Sequence, residues 1–259
     1  MTGSRAAHPV ARYLPLLIEG DERGLRDLFG GDPRVNDPHL GWVDAALFDR
    51  FVENSSLGLT ERQATVEHVM TTATAGGATE ECILRLVRYG VAILLPVAIA
   101  SDMSADAIDS IRIYHSMRPL LGFHLLRAPM LPVGPALVLP DVVGRYHECL
   151  ARGDVAGIVQ LFAPTGGLRE AGGVVPIHQG EAALRRFFDS LFANGGGLGL
   201  DYCAFADEGA SCTLEYVVST WGRSNLPSQA AAAVYERADT GLLAEVRMYD
   251  DVEHPLRFN

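Results

Sequence analysis

The stretch that decides the fold is Arg12–Phe29, RYLPLLIEGDERGLRDLF, because residues 145–162, RYHECLARGDVAGIVQLF, repeat it. Eight of the eighteen positions are identical, where random pairing of average compositions gives about one or two. In the first copy these are Arg12, Tyr13, Leu17, Gly20, Asp21, Gly24, Leu28 and Phe29. A second match, residues 112–114 with 247–249, closes each half. A spacing of 133 to 135 residues indicates a duplicated domain, since solenoid repeats have periods of roughly 20–50 residues.

Composition and charge exclude several classes of function. The net charge is −11, which argues against nucleic acid or an anionic membrane as a partner. All basic residues are arginine, so a conventional phosphate loop and Schiff-base chemistry, both of which need lysine, are excluded. The longest apolar run, Val91–Ala100, is too short to span a membrane. No signal peptide is indicated, and we expect a cytoplasmic protein.

The order of predicted elements is the same in both halves. Each begins with a helix broken at a Gly-Asp pair, followed by a short extended piece and another helix, Asp44–Glu53 or Glu181–Phe192. Runs bounded by turn residues then predict an antiparallel meander. The predicted strands are Arg62–Thr72, Glu80–Arg88, Val91–Ser101 and Ile108–Ser116, then Leu198–Ala206, Ser211–Thr220, Ala230–Arg237 and Leu242–Tyr249. Helices followed by a meander predict an α+β fold.

A proline-rich stretch separates the two halves. Five prolines between residues 119 and 140 predict a stiff, extended connection. We therefore divide the chain into a first domain at 1–128, a linker at 129–139 and a second domain at 140–259.

This arrangement resembles the NTF2-like superfamily, and looks closest to its ketosteroid-isomerase and SnoaL-like cyclase branch. The first half carries the pattern in Tyr13, Gly20-Asp21, Leu28-Phe29 and Val35-Asn36-Asp37-Pro38. The resemblance implies two tandem cone-shaped domains, each with helices packed on a curved antiparallel sheet around an apolar pocket. It also implies that the two domains form an internal pseudo-dimer, and a homodimer of the whole chain is compatible with it.

The resemblance also implies site residues, and the repeat tests them. Asp37 matches the position of the isomerases' general base, and Tyr13 that of a phenolic oxyanion donor. Their counterparts 133 residues later are Glu170 and Tyr146. The first long strand of each half carries a further acid, Glu67 and, 134 residues later, Asp201. We predict that Asp37 with Glu67, and Glu170 with Asp201, form two catalytic pairs.

Paired carboxylates in an apolar pocket form a general acid–base set, because burial and repulsion keep one of them protonated. Opening an epoxide needs such a pair, an acid for the ring oxygen and a base for the attacking hydroxyl. The tandem arrangement looks like the polyether epoxide hydrolases/cyclases of ionophore biosynthesis. The resemblance implies a cofactor-independent enzyme that forms cyclic ethers from a hydrophobic polyketide substrate.

Other interpretations stay open. The isomerases' second acid corresponds to Ala98 here and to Ala233 in the second half, and alanine cannot donate the hydrogen bond that stabilises a dienolate. An aldol cyclase or isomerase using Asp37 alone, and a non-catalytic small-molecule binding module, are the alternatives. Asp37 could instead form the turn before Pro38. A register shift of one residue would turn Glu67 and Asp201 outward.

The remaining candidates are aromatic or imidazole side chains. We place Tyr13, Tyr146, Trp42 and His178 among residues that contact the substrate, with His178 in a supporting rather than a catalytic role. His68 should face the opposite side of the sheet from Glu67 and the pocket. No metal site is indicated by the spacing of the histidines and cysteines. Because Ala171-Gly172-Gly173 follows Glu170 where the first half has proline, the first half looks closer to the catalytic pattern.

Overall fold

The computed structural model describes residues 8–134, 137–175 and 177–253. The chain divides into two compact units, the first ending at His115 and the second beginning at Ser116. Our expected boundary at residue 128 therefore lies inside the second unit. The reason is a set of hydrogen bonds, since Ser116, His124 and Leu125 all bind the carboxylate of Asp251.

The first unit has three α-helices and six strands among the residues described, after a short 3-10 turn at Pro9–Arg12. They follow one another as α1 (Tyr13–Glu19), α2 (Glu22–Arg26), β1 (Val35–Asp37), β2 (Gly41–Val43), α3 (Phe48–Glu61), β3 (Thr65–Thr74), β4 (Gly77–Arg88), β5 (Val91–Ser104) and β6 (Ala107–Tyr114).

The second unit repeats this order after one additional turn of helix, α4 (Arg118–Leu121). Its other elements are α5 (Asp141–Arg152), α6 (Val155–Gln160), β7 (Phe162–Arg169), β8 (Ile177–Gln179), α7 (Glu181–Leu191), β9 (Leu198–Asp207), β10 (Ser211–Trp221), β11 (Ser224–Arg237) and β12 (Leu243–Tyr249). The predicted meanders are confirmed, while the short strands β2 and β8 were not predicted.

The two sheets have the same topology, β2-β1-β6-β5-β4-β3 and β8-β7-β12-β11-β10-β9. The predicted α+β class is confirmed, but the description of the sheets as antiparallel is wrong at one position in each. Strand β1 runs parallel to β6, and β7 runs parallel to β12. One helix and four strands separate the members of each parallel pair along the chain, which provides the long crossover that parallel pairing requires.

The Gly-Asp-x-x-Gly segment that the chain repeats has the same local structural role in both units. Gly20 and Gly153 end their helices in the left-handed region, at φ of 70° and 68°, which glycine adopts without steric cost. The following Asp21 then caps the next helix by accepting a hydrogen bond of 2.9 Å from the backbone N–H of Gly24, and Asp154 does the same for Gly157 at 2.9 Å. Both aspartates are therefore helix N-caps.

In the second unit the helices pack on one face of the sheet through aromatic side chains. Tyr146 on α5 makes edge contacts with Phe162, Phe188 and Tyr235, at centroid distances of 6.0, 6.3 and 5.9 Å. We call this helix-facing side of each sheet the inner face. In the described part of the chain, no helix has the length and apolar character that crossing a membrane requires.

Candidate active site

A cavity of about 130 Å³ lies in the second unit, between its inner sheet face and helices α5 and α7. Most of its wall is apolar, with leucines at 150, 191, 198 and 200 and valines at 218 and 246. It adjoins a more open groove of about 410 Å³, and Glu170, Arg118 and His124 line both spaces. The shared residues therefore mark the mouth of the cavity.

Two carboxylates reach this cavity from neighbouring strand ends. Glu170 follows β7, and Asp250 follows β12, which is the strand paired with β7. The two acids are close enough for the negative charge of Glu170 to raise the pKa of Asp250. The cavity thus holds two acids, but the second is Asp250 and not Asp201, the acid that the sequence analysis paired with Glu170.

The protonation of Asp250 is set mainly by burial. Loss of water, with smaller contributions from the charges of Asp251 and Glu170, raises its pKa to about 6, and the backbone N–H of Val252 and the charge of His124 oppose this shift. An aspartate normally ionises near pH 3.9. Near neutral pH a fraction of Asp250 therefore stays protonated and can donate a proton.

Glu170 is oriented by a histidine. His178 Nε2 lies 2.6 Å from Glu170 Oε1, a distance at which the imidazole N–H donates to the carboxylate. The imidazole ring itself stacks on Phe187 of α7, with centroids 4.4 Å apart. His178 thus holds Glu170 in position, which agrees with the supporting role expected of it.

The connecting segment forms part of the mouth. Asp251, only 3% exposed, accepts hydrogen bonds from Ser116 Oγ at 2.6 Å and the Leu125 backbone N–H at 2.6 Å, and His124 Nδ1 lies 3.0 Å away. These contacts hold residues 116–125 against the end of β12, so that Arg118 and His124 line the cavity.

The inner end of the cavity is polar and aromatic. His147 on α5 lies 2.7 Å, Nε2 to hydroxyl, from Tyr235 on β11, and Tyr146 and Tyr216 line the same space. Burial lowers the pKa of His147 to about 3, so the imidazole is neutral at physiological pH. Burial also raises the pKa of the three phenols, so their hydroxyls stay protonated.

The structure does not bring Glu67 and Asp201 to an inner face. Asp201 is exposed on β9, and its neighbour Tyr202 contacts the His147 ring at 5.2 Å. Because successive side chains alternate across a strand, Asp201 points to the opposite face. Glu67 is likewise exposed on β3, where the adjacent His68 has Nδ1 2.6 Å from the buried Glu80 on β4. The prediction that Glu67 and Asp201 belong to catalytic pairs is therefore wrong, because each acid lies on the face of its strand opposite to the one expected.

The first unit arranges its candidates differently. Tyr13 is fully buried, and its hydroxyl has no hydrogen-bond partner within the described chain. Burial and, to a smaller extent, the charge of Asp37 raise its pKa, so the two groups are near each other. Asp37 accepts backbone hydrogen bonds from His39 at 2.8 Å and Leu40 at 3.0 Å, which is the turn-forming role that the sequence left open.

Trp42 does not belong to the cavity of the second unit. It lies on β2 of the first unit, 37% exposed, with the Arg34 guanidinium 4.2 Å from its ring centroid. This cation–π contact accounts for its position, and Trp42 is not among the residues that line the cavity and the groove of the second unit.

Sequence reasoning missed Asp250, His147 and Tyr235. The repeat itself concealed them, because their counterparts at the repeat spacing or strand register are His115, Leu14 and Ser101. A test that keeps only residues with a similar counterpart discards any group unique to one unit. The sequence favoured the first half, whereas the cavity described above lies in the second unit.

One comparison with known protein families finds a match. Residues 143–246, which lie in the second unit, match the family model of the SnoaL-like domain. No curated protein matches the sequence significantly.

Several solved structures are similar to part of the chain. One from Sinorhizobium meliloti, whose name proposes a polyketide cyclase, is 20% identical and covers 42% of this chain and 94% of its own, with a TM-score of 0.35. SalBIII, named as an epoxide hydrolase/cyclase-like enzyme in pyran ring formation in polyether salinomycin, is 19% identical. The match covers 42% of this chain and 87% of SalBIII, with a TM-score of 0.36. A hypothetical protein with a ketosteroid isomerase-like fold from Catenulispora acidiphila is 15% identical. The match covers 44% of this chain and 87% of that protein, with a TM-score of 0.38.

Proposed function

We propose that the second unit is a cofactor-independent acid–base catalyst that opens an epoxide in a mainly apolar polyketide and forms a cyclic ether. The observation that carries this proposal is the pair of acids, Glu170 and Asp250, in a cavity whose wall is otherwise mostly apolar. The SnoaL-like match of residues 143–246 supports a place in the cyclase and isomerase branch of the superfamily.

The chemistry assigns one proton transfer to each acid. Asp250, whose pKa is about 6, donates its proton to the epoxide oxygen as the C–O bond breaks. Glu170, fixed by His178, takes the proton from the substrate hydroxyl whose oxygen forms the new C–O bond. No atom leaves the substrate. Solvent then returns the proton from Glu170 to Asp250, and water as the attacking group would give a diol instead.

The second acid favours this reaction over the alternatives. An isomerase or aldol cyclase needs one carboxylate base and hydrogen-bond donors for the oxyanion, for which Glu170 and Tyr146 would suffice. A binding module needs neither acid, and burying a carboxyl group without catalytic use costs free energy. A carboxyl group that is partly protonated near neutral pH, as Asp250 is in this cavity, is the group that epoxide activation requires.

The test is turnover of hydroxy-epoxides by the full chain. We expect Glu170→Gln and Asp250→Asn each to lower the rate of ring closure by about 100-fold or more, and kcat/KM of the native protein to fall as pH rises through about 6. Asp201→Asn and Glu67→Gln are the matched controls, because both acids are exposed and should leave the rate unchanged. Full activity in the Glu170 and Asp250 variants would refute the proposal.

A further inference from the structure

The inner end of the cavity holds polar groups for which the acid–base step has no use. The His147 ring and the Tyr235 hydroxyl are 2.7 Å apart, both side chains are almost fully buried, and both line the cavity. Tyr146 and Tyr216 surround them, with ring centroids 5.9 Å from Tyr235 and 6.4 Å from His147 respectively. A buried polar cluster is costly unless its hydrogen bonds are satisfied.

The protonation state of His147 decides which atom of this cluster is available. A neutral imidazole carries one N–H. Across the described residues, nothing accepts or donates a hydrogen bond at Nδ1 of His147, which is shielded from solvent. A buried N–H without an acceptor is rarer and more costly than a lone pair without a donor. The proton therefore lies on Nε2, and Nε2–H donates to the oxygen of Tyr235.

This tautomer leaves one donor free. The Tyr235 oxygen accepts from His147, so its own O–H must find another acceptor. Within the described chain, His147 is the group that hydrogen-bonds the Tyr235 hydroxyl. Since the hydroxyl makes no second hydrogen bond to a described residue, its acceptor must come from whatever occupies the cavity that Tyr235 lines.

We propose that the Tyr235 hydroxyl donates a hydrogen bond to an uncharged acceptor oxygen, a ketone or ether oxygen, at the inner end of the substrate, and that His147 is its positioning residue. The identity of the occupant as substrate rests on the proposed function. A ligand with its charge at this end would be disfavoured, because the cationic side chain in the wall, Arg118, lies at the mouth.

The size of the cavity limits the inner part of the ligand. A closed apolar cavity of about 150 Å³ accommodates benzene, and the space here is about 130 Å³. The part of the ligand that the cavity encloses is therefore about the size of one six-membered ring. The substrate class that follows is a molecule with a ketone or cyclic ether at its inner end and the reacting epoxide near Glu170 and Asp250.

The test compares two probes of one shape. Cyclohexanone and methylenecyclohexane differ in an oxygen replaced by a methylene group, and their binding to the full chain can be measured by ligand-observed NMR. We expect the native protein to prefer the ketone by about tenfold and Tyr235→Phe to abolish the preference, a loss typical of one hydrogen bond. Tyr89→Phe, at a tyrosine 91% exposed in the first unit, should retain it.

Two outcomes would overturn the inference. One is a native protein without a preference for the ketone, or without detectable binding of it. The other is a Tyr235→Phe variant that is folded by its thermal transition and keeps the preference.

A spectroscopic readout separates positioning from a merely structural role of His147. Nitrogen-15 NMR, with His147→Leu to assign the resonances, should show the proton on Nε2, and a proton on Nδ1 would contradict the argument. Leu14 occupies the equivalent place in the first unit, so the leucine variant should fold, and we expect it to lose part of the ketone preference.

The two proposals fail separately. Glu170→Gln should lose turnover and keep the preference for cyclohexanone. If Glu170→Gln retains turnover while the ketone preference depends on Tyr235, the acid–base proposal fails and the inner hydrogen-bond site stands. If the preference is independent of Tyr235 while Glu170→Gln is inactive, the reverse holds.

Discussion

The two units share their strand order, parallel strand pairs and helix caps, yet they differ in the side chains that face the helices. At equivalent positions the first unit has Leu14, Cys82, Ile99, Ser101 and His115, and the second has His147, Tyr216, Ala233, Tyr235 and Asp250. The first set is mostly small or apolar, while the second contains an imidazole, two phenols and a carboxylate. The duplicated units thus share their backbone fold and differ in the side chains that face the helices.

One exchange accounts for part of the space in the second unit. Ala233 on β11 lines the cavity, and its partner on β12 is Met248. The equivalent residue of β5 is Ile99, which pairs with Ile113 on β6 and is fully buried. An alanine leaves unfilled the volume that an isoleucine occupies. Substitution at this position should therefore open space in the first unit or fill the cavity in the second.

The largest expected effect comes from swapping these two residues. Ile99→Ala should destabilise the first unit by about 2–5 kcal/mol, because it removes buried methyl groups and leaves a void. Ala233→Ile should change stability little, because it fills existing space, while weakening cyclohexanone binding at least tenfold. Denaturant unfolding and NMR titration measure the two effects. Equal destabilisation by both substitutions would show that the units are packed alike.

A smaller effect concerns the acid that one unit has and the other lacks. Burial raises the pKa of Asp250 to about 6, above the value near 3.9 of an unfolded chain. The stability contributed by the neutral carboxyl group is therefore fully present below about pH 4 and is lost as pH rises through about 6. We expect Asp250→Asn to be more stable than the native protein by about 2 kcal/mol at pH 8, after discounting for partial exposure.

This pH dependence has a control beside it. Asp251→Asn should be destabilising at pH 8, because that carboxylate accepts hydrogen bonds from Ser116 and Leu125. Thermal unfolding at pH 4 and pH 8 distinguishes the two variants. A stability of Asp250→Asn that follows the native protein at both pH values would show that Asp250 is not shifted.

The smallest effect tests what the units have in common. Asp21→Ala and Asp154→Ala each remove a helix cap with the same 2.9 Å hydrogen bond, which typically costs about 1 kcal/mol. Because the caps are alike, the two losses of unfolding free energy should agree within about 0.5 kcal/mol. A clear difference would mean that the shared sequence motif has separate structural roles in the two units.

The helices and strands were predictable from the sequence, because local residue patterns specify them. The helix break is recognisable in the sequence from Gly20, Asp21 and Gly24. The strands are recognisable as apolar runs between turn residues. The parallel pairing of β1 with β6 was not predicted, because it joins residues 76 positions apart, such as Val35 and Ile111, and no single turn connects the two strands.

The site was predicted only in part. Glu170 and Tyr146 were found through the repeat, and both line the cavity. Glu67 and Asp201 were misplaced, because the side of a strand changes with each residue and β3 carries an irregularity after His68. Asp250 and His147 could not be found by comparing the halves, since selection for chemistry in one unit leaves no trace in the other.

The hydrogen bonds to Asp251 determine which segment of the chain could be moved into another protein with the cavity intact. A segment chosen by the family match, residues 143–246, would omit Asp250 and the wall formed by Arg118 and His124. The smallest portable module that keeps the mouth intact begins at Ser116, in the stretch that looks like a passive connector. Any fusion or recombination that exchanges these halves must therefore cut between His115 and Ser116, ahead of the proline-rich stretch.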